Sequence, residues 1–168
     1  MPYVYVYSPV SGSVTQDDHD GCDSSGSQAI DMGTNWVDVR LYLDSWYFKS
    51  IYVSVEYDCC TPSDEENYRR LVKVKLYNQP NQAGYVGFVG FGHTKNVAIS
   101  GAYNVYGNNF GKICETHLTG CICQVCDSGC CYTGAHLHVE TYGGTNVVSY
   151  GQALTAGSTA IYRWVGAV

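Results

Sequence analysis

Two histidines separated by one residue lie in the segment 133–140, Thr-Gly-Ala-His-Leu-His-Val-Glu. Successive side chains of an extended strand point to opposite faces, so His136 and His138 share one face while Leu137 and Val139 point toward the core. Two neutral imidazoles on one face form half of a zinc site, because zinc binds imidazole nitrogen at about 2.0–2.1 Å. His-x-His is also a short pattern with many chance matches. The spacing therefore leaves two interpretations open, a metal or catalytic site and a strand with two half-exposed histidines.

An aspartate, Asp31, lies between the apolar residues Ile30 and Met32. A carboxylate among apolar neighbours is costly to bury unless it is paired or bound to a cation. Asp31 is therefore a candidate metal ligand, and the alternative is an exposed aspartate at a strand edge or in a turn. A further histidine, His93, follows a glycine-rich strand, where a lone histidine is usually structural.

The elements that must position these residues are predicted to be strands. Residues alternate between apolar and polar with period 2, and no segment has the 3.6-residue period of a helix. The predicted strands are 3–7, a short one within 8–15, 36–43, 50–57, 71–77 and 85–91, with closing strands near 147–148 and 160–162. The segments 16–28 and 58–67 are predicted loops, 78–84 is a predicted turn, and 101–119 is predicted to be irregular, with a turn at 107–109.

The composition supports the same fold class. Glycine (19 residues) and tyrosine (16 residues) are frequent, and only 14% of residues are charged, which is typical of a β-rich, turn-rich protein. We therefore expect a mainly β, antiparallel sheet or sandwich with little helix. The length of 168 residues favours a single domain spanning 1–168.

Charge and hydropathy exclude two classes of partner. A net charge of −6 argues against nucleic acid, which requires basic patches, and no apolar run approaches the length of a membrane span. The first residues contain neither a basic region nor a cleavage site for export. We therefore expect another export route, or a mature or virion-borne chain.

Nine cysteines favour a disulfide framework in an oxidising environment. The odd number leaves at least one thiol unpaired or paired between chains. A Cys-x-Cys-x-x-Cys run at 121–126 leaves a second metal site as the alternative. The cysteines are Cys22, Cys59, Cys60, Cys114, Cys121, Cys123, Cys126, Cys130 and Cys131.

The segment 133–140 resembles the Thr-Gly-x-His-Leu-His-Phe-Glu signature of the lysostaphin/LytM-type zinc peptidases, metallopeptidase family twenty-three. Three other segments resemble elements of that family in its order. Residues 8–15 are similar to its opening Pro-Val-x-Gly-x-Val-Thr. His19 together with residues 29–31 is similar to its His…Ala-Ile-Asp-Phe arrangement. Residues 91–94 are similar to its Tyr-x-His-Leu element, although Phe-Gly precedes the histidine here.

The resemblance implies a ligand set and two catalytic residues. His19, Asp31 and His138 would bind zinc, and His93 and His136 would be the catalytic histidines. Zinc with three protein ligands keeps one position for water, which it makes more acidic. His136 would hold or deprotonate that water, and His93 would stabilise the oxyanion or protonate the leaving amine.

Asp23 is the rival for Asp31, because residues 19–23 also satisfy the family's His-x-Gly-x-Asp spacing. Asp31 is preferred because an apolar strand surrounds it.

The implied function is a zinc-dependent endopeptidase that cleaves peptide bonds in bacterial peptidoglycan, in an extracellular or virion-associated location. Two alternatives remain open. One is a peptidase-like fold used as a binding module. The other is a structural subunit of an extracellular filament or virion, in which the chain forms a homo-oligomer or larger assembly.

Overall fold

The computed structural model describes residues 2–20, 28–34, 37–57, 70–116 and 136–166, with the backbone alone for 17–20, 57 and 70. Within these residues the chain forms thirteen strands and no helix. The strands are β1 (Tyr3–Tyr7), β2 (Gly12–Asp20), β3 (Gln28–Gly33), β4 (Asp38–Leu43), β5 (Ser50–Tyr57), β6 (Arg70–Gln79), β7 (Ala83–Lys95), β8 (Gly101–Asn104), β9 (Asn109–Thr116), β10 (Leu137–Tyr142), β11 (Thr145–Asn146), β12 (Ala153–Leu154) and β13 (Ala160–Val165). In these described ranges, no helix is long and apolar enough to cross a membrane.

The strands form one antiparallel sheet, which confirms the predicted mainly β class. The order along the main path is β11-β13-β1-β4-β9-β7-β10-β3-β2-β12. Strand β6 joins at β7, and β5 pairs with β6 and β8. The central strands β3, β10 and β7 are neighbours, although long stretches of sequence separate them.

Period-2 alternation directs one face of most strands into a single hydrophobic core. In β4, Val39, Leu41 and Leu43 are buried and the residues between them are partly exposed. The same core contains Leu137 and Val139 of β10, as the alternation predicts. Since successive side chains of a strand point to opposite faces, the residues of β10 that alternate with these two lie on its other face, away from the core.

Two segments predicted to lack strands are strands, so those predictions are wrong. Residues 16–20 extend β2, where His19 pairs with Ala29 of β3. Residues 101–104 and 109–116 form β8 and β9 within the segment predicted to be irregular. Register shifts interrupt the β2–β3 and β4–β9 ladders. Such shifts disturb the alternation on which the sequence prediction depends, whereas backbone pairing still holds the strands.

Cys114 is a buried free thiol, so it takes no part in the disulfide framework expected for the cysteines. Its side chain belongs to the hydrophobic core, and burial raises the pKa of the thiol despite a hydrogen bond with Thr94. A thiol on the core face of β9 behaves as a small apolar residue. The other cysteines, the Cys-x-Cys-x-x-Cys run and the predicted loop 58–67 lie outside the described residues.

The buried carboxylate of Asp44 joins the end of β4 to β1. Its Oδ2 accepts the Tyr5 N–H at 2.9 Å, and its Oδ1 accepts the Tyr7 hydroxyl at 2.8 Å. Its backbone carbonyl accepts the N–H groups of Tyr47 and Phe48. Burial, together with the hydrogen bond and charge of Asp44, raises the pKa of Tyr7 to about 12.

The Asp44→Ala substitution should therefore lower the free energy of unfolding by about 1–3 kcal/mol, because it leaves a backbone donor and a hydroxyl without their acceptor. Asp38→Ala is the control, since Asp38 forms half-exposed ion pairs with Lys112 at 3.1 Å and Arg40 at 3.3 Å, and its loss should cost clearly less than that of Asp44. Urea unfolding of both variants measures the difference. Equal losses would contradict the role given to Asp44.

Candidate metal centre

Asp31 and the two histidines of the His-x-His segment meet on the face opposite the core. Asp31 of β3 is the register partner of His138 of β10. Asp31 Oδ1 lies 3.3 Å from His138 Nδ1, and Asp31 Oδ2 lies 3.6 Å from His136 Nε2. Asp31 is buried, with an exposed fraction of 8%, so the interpretation as an exposed aspartate is wrong. One carboxylate thus contacts both histidines.

His93 completes this cluster from the neighbouring strand β7. Its ring centroid lies 5.0 Å from that of His136, edge to face, and 5.6 Å from that of His138. The side chain is buried, with an exposed fraction of 1%. The structure therefore brings together four of the five residues to which the resemblance gives a role.

A β-bulge sets the direction of His93. Between the pairs Arg70–Thr94 and Val72–Phe91, β7 contains one residue more than β6. His93 lies in this interval with a φ of 59°, which is uncommon for a residue other than glycine. Such a conformation costs about 1–3 kcal/mol and is typical of functional sites, where bulges redirect side chains. The strain at His93 thus supports a functional interpretation of this histidine.

Two glycines of β7 provide the space for the cluster. Gly92 is the register partner of His138, and a Cβ atom at position 92 would lie 3.0 Å from Cδ2 of that ring. Gly90 is the register partner of Glu140, and a Cβ atom there would lie 2.9 Å from Cγ of that glutamate. The sequence indicated a glycine-rich strand, but only the register assigns each glycine to a side chain.

Glu140 is a further member of the cluster, and the motifs of the sequence did not predict a role for it. Its side chain is fully buried, and its Oε1 lies 3.2 Å from His138 Nε2. The signal was present in the sequence, because Glu140 follows His138 by two residues and so shares its face of the strand. His138 therefore lies between two carboxylates, one at each ring nitrogen.

These carboxylates determine the charge of His138. Burial alone lowers the pKa of the imidazole, but hydrogen bonds to Asp31 and Glu140, together with their charges, raise it to about 9. The metal-free site therefore favours a positive charge on this ring at neutral pH.

The separation of Asp31 and His138 fits two zinc ligands. With bonds of about 2.0–2.1 Å and tetrahedral angles, two donor atoms lie about 3.3–3.4 Å apart. The distance between Asp31 Oδ1 and His138 Nδ1 is 3.3 Å. Carboxylate oxygen and imidazole nitrogen are also donors that zinc prefers.

A third donor is not found among the described side chains. In the part of the chain that the structure describes, no three His, Cys, Asp or Glu side chains are arranged so that they could hold a metal ion. His19 pairs through its backbone with Ala29, two residues from Asp31 along β3. The side chain of His19, and Asp23 as a whole, lie outside the described residues.

Comparison with known proteins gives no match: no family model, curated protein or solved structure matches this chain. The resemblance to the lysostaphin/LytM-type peptidases therefore depends on the motif residues of the sequence.

The stability of the metal-free protein should decrease as the pH rises toward 9. The pKa of His138 is raised from 6.5 to about 9, so its contribution to stability is fully present below pH 6.5 and is lost as the pH rises through about 9. Urea unfolding in the presence of a chelator across this range measures the decrease. The His138→Gln variant should lack this part of the pH dependence, and an identical slope in both proteins would contradict the assignment.

The Gly92→Ala substitution should weaken metal binding. Its Cβ would press on the His138 ring, which two carboxylates hold in place, and changes to groups that orient a ligand typically cost about 10–100-fold in metal affinity. Gly101→Ala is the control: its φ of 91° strains an alanine, but nothing lies within 4 Å of the added Cβ, so any loss there comes from the backbone and not from a crowded side chain. Zinc titration against a competing chelator should separate the two variants. Equal affinity would show that the space at Gly92 does not matter to the site.

Proposed function

We propose that this chain is a zinc-dependent endopeptidase of the lysostaphin/LytM type that cleaves peptide bonds in bacterial peptidoglycan, in an extracellular or virion-associated location. One observation carries the proposal. Asp31, His93 and the pair His136 and His138 come from three segments that are distant in sequence, and they converge at one point of the sheet. Each of the three segments resembles a separate element of that family.

Asp31 and His138 would hold the zinc ion, and His19 would be the third ligand. When bound, zinc supplies a Lewis acid that polarises a carbonyl group and lowers the pKa of a water molecule. Asp31 also contacts His136 through its second oxygen. The ligand carboxylate would therefore orient the catalytic histidine beside it.

His136 and His93 would divide the proton transfers of hydrolysis. His136 is the more exposed of the two, at 8% against 1%, so we assign it to accept the proton of the attacking water. His93 lies edge-on to His136 and would stabilise the carbonyl oxygen as it gains charge or donate a proton to the leaving amine. His93 lies on the paired strand β7 and His136 directly precedes the paired strand β10, which limits the movement of both rings.

On the face of the sheet that carries the histidine cluster, a row of paired residues crosses the four strands β10, β7, β6 and β5. Tyr142 lies four residues after His138 on β10 and pairs with Phe88 of β7. Phe88 pairs with Lys75 of β6, and Lys75 pairs with Tyr52 of β5. The Phe88 and Tyr142 rings stack at 6.2 Å, and Lys73 Nζ lies 4.4 Å from the Phe88 centroid. The exposed rings of Tyr52 and Tyr142 and the partly exposed lysines of β6 suit an extended peptide with free carboxylates, such as the stem peptides of peptidoglycan.

A structural role in a filament or virion is the second candidate. Several large aromatic side chains are exposed, among them Tyr106 at 84%, Tyr150 at 74% and Trp46 at 51%. Exposed aromatic residues are frequent in interfaces between subunits. The two functions are compatible in a wall-cutting enzyme carried by a larger assembly, and particle size in solution measures the assembly.

Substitution of the two neighbouring histidines should separate binding from catalysis. His138→Ala removes a ligand, so zinc should be lost on dialysis. His136→Ala should keep the zinc and lower turnover about 10²–10⁴-fold, the usual contribution of a general acid or base. Zinc analysis of each purified variant, together with digestion of peptidoglycan and of a glycine-rich peptide, measures both effects.

The two variants control for each other, because a disturbance of the strand would affect both alike. Full zinc occupancy in both would refute the ligand assignment. An unmodified protein that binds zinc but cuts neither substrate would refute the peptidase and favour the structural role.

A further inference from the structure

A fully buried carboxylate lies behind the proposed ligand His138. The side chain of Glu140 has an exposed fraction of 0%, and its Oε1 lies 3.2 Å from His138 Nε2, which is itself in a side chain only 1% exposed. Burying a carboxylate is costly unless it has a partner. Glu140 contacts the ring on the nitrogen that does not face Asp31, so the two carboxylates have different positions relative to the ring.

A neutral imidazole has one N–H group and one nitrogen with a free lone pair. A metal ligand must direct its lone pair at the metal, and a hydrogen bond at the other nitrogen decides which tautomer is present. We propose that Glu140 is a positioning residue: it accepts the N–H of His138 Nε2 and so directs the lone pair of Nδ1 toward the metal beside Asp31. This inference rests on the zinc site of the proposed function.

The opposite arrangement, with the metal between Glu140 and Nε2, disagrees with the accessibility of the site. The side chains of Asp31 and His136 are exposed at 12% and 10%, whereas that of Glu140 is exposed at 0%. A catalytic metal requires a position that water and substrate can reach. The accessible side of the His138 ring is therefore the Nδ1 side.

The sheet provides a fitted space for Glu140. A Cβ atom at Gly90 would lie 2.9 Å from Glu140 Cγ and 3.1 Å from Leu71 Cδ1. Only glycine at position 90 leaves room for the glutamate between β6, β7 and β10. This space fixes the carboxylate against the ring independently of the contact at Asp31.

The first test needs no substitution. Nitrogen-15 NMR of the zinc-loaded, histidine-labelled full chain identifies which nitrogen of His138 carries the proton and which binds the metal. We expect the proton on Nε2 and zinc on Nδ1. Zinc on Nε2 would overturn the proposal, whether or not any variant folds.

The second test compares zinc affinity in three variants by competition with a chelator. Glu140→Ala removes the acceptor and should lower the affinity about 10–100-fold. Glu140→Gln keeps an acceptor oxygen of the same reach and should restore part of that loss. Thr141→Val is the matched control, since its buried hydroxyl donates to the Phe88 carbonyl at 2.9 Å on the other face of the same strand. It should lose stability but keep its zinc affinity within about twofold.

Each outcome separates this inference from the proposed function. If Glu140→Ala binds zinc as tightly as the unmodified chain, or if Thr141→Val loses as much affinity as Glu140→Ala, the positioning role falls while the peptidase proposal stands. If Glu140→Ala weakens zinc binding but the unmodified protein cuts no peptidoglycan, the positioning role stands and the proposed peptidase activity falls.

Discussion

The arrangement of the site depends on one buried imidazole held between two carboxylates. His138 contacts Asp31 through Nδ1 and Glu140 through Nε2, and all three side chains are largely removed from water. Each buried charge would be destabilising alone, and removing one member of such a group leaves an uncompensated charge. The three residues are therefore interdependent. They also create a local field that favours a cation, the requirement that a zinc site must meet.

This interdependence constrains the register of three strands. Asp31 meets His138 only in the observed pairing of β3 with β10, and Glu140 fits only opposite Gly90 of β7. A shift by one residue would direct the polar side chains into the core and the core residues outward. The apolar alternation on the other face resists this shift, because Leu137 and Val139 are buried in the hydrophobic core. The hydrophobic core on one face of these strands thus fixes the register that brings the polar residues together on the other face.

The sequence predicted the fold class and most residues of the histidine cluster, but it did not predict the contacts between the strands that carry them. Alternation located β1 and β5 with their observed bounds, because those strands alternate without interruption. It missed β8, β9 and the second half of β2. Register shifts interrupt the pairing of β9 and β2 with their neighbours, whereas β8 is a four-residue strand that pairs with β5 without a shift. Period 2 placed His136 and His138 on one face, and both do contact Asp31. Contacts between strands distant in sequence are set by register, which one sequence does not encode locally.

Register between distant strands also explains why the roles of Glu140, Gly90 and Gly92 could be assigned only from the structure. A glutamate after an apolar residue near a strand end is ordinarily solvated, and a glycine in a strand ordinarily weakens it. Here the two departures compensate each other across the β7–β10 pair: Gly90 lacks a side chain where Glu140 needs space, and Gly92 lacks one where His138 needs space. The bulge at His93 follows directly after Gly92 along β7. Strand β7 therefore leaves space for Glu140 and His138 of β10 at its two glycines, and its next residue, His93, contacts the same cluster. An ordinary strand with side chains at positions 90 and 92 would fill this space. The local weakness of β7 is therefore the physical condition that allows the cluster to form.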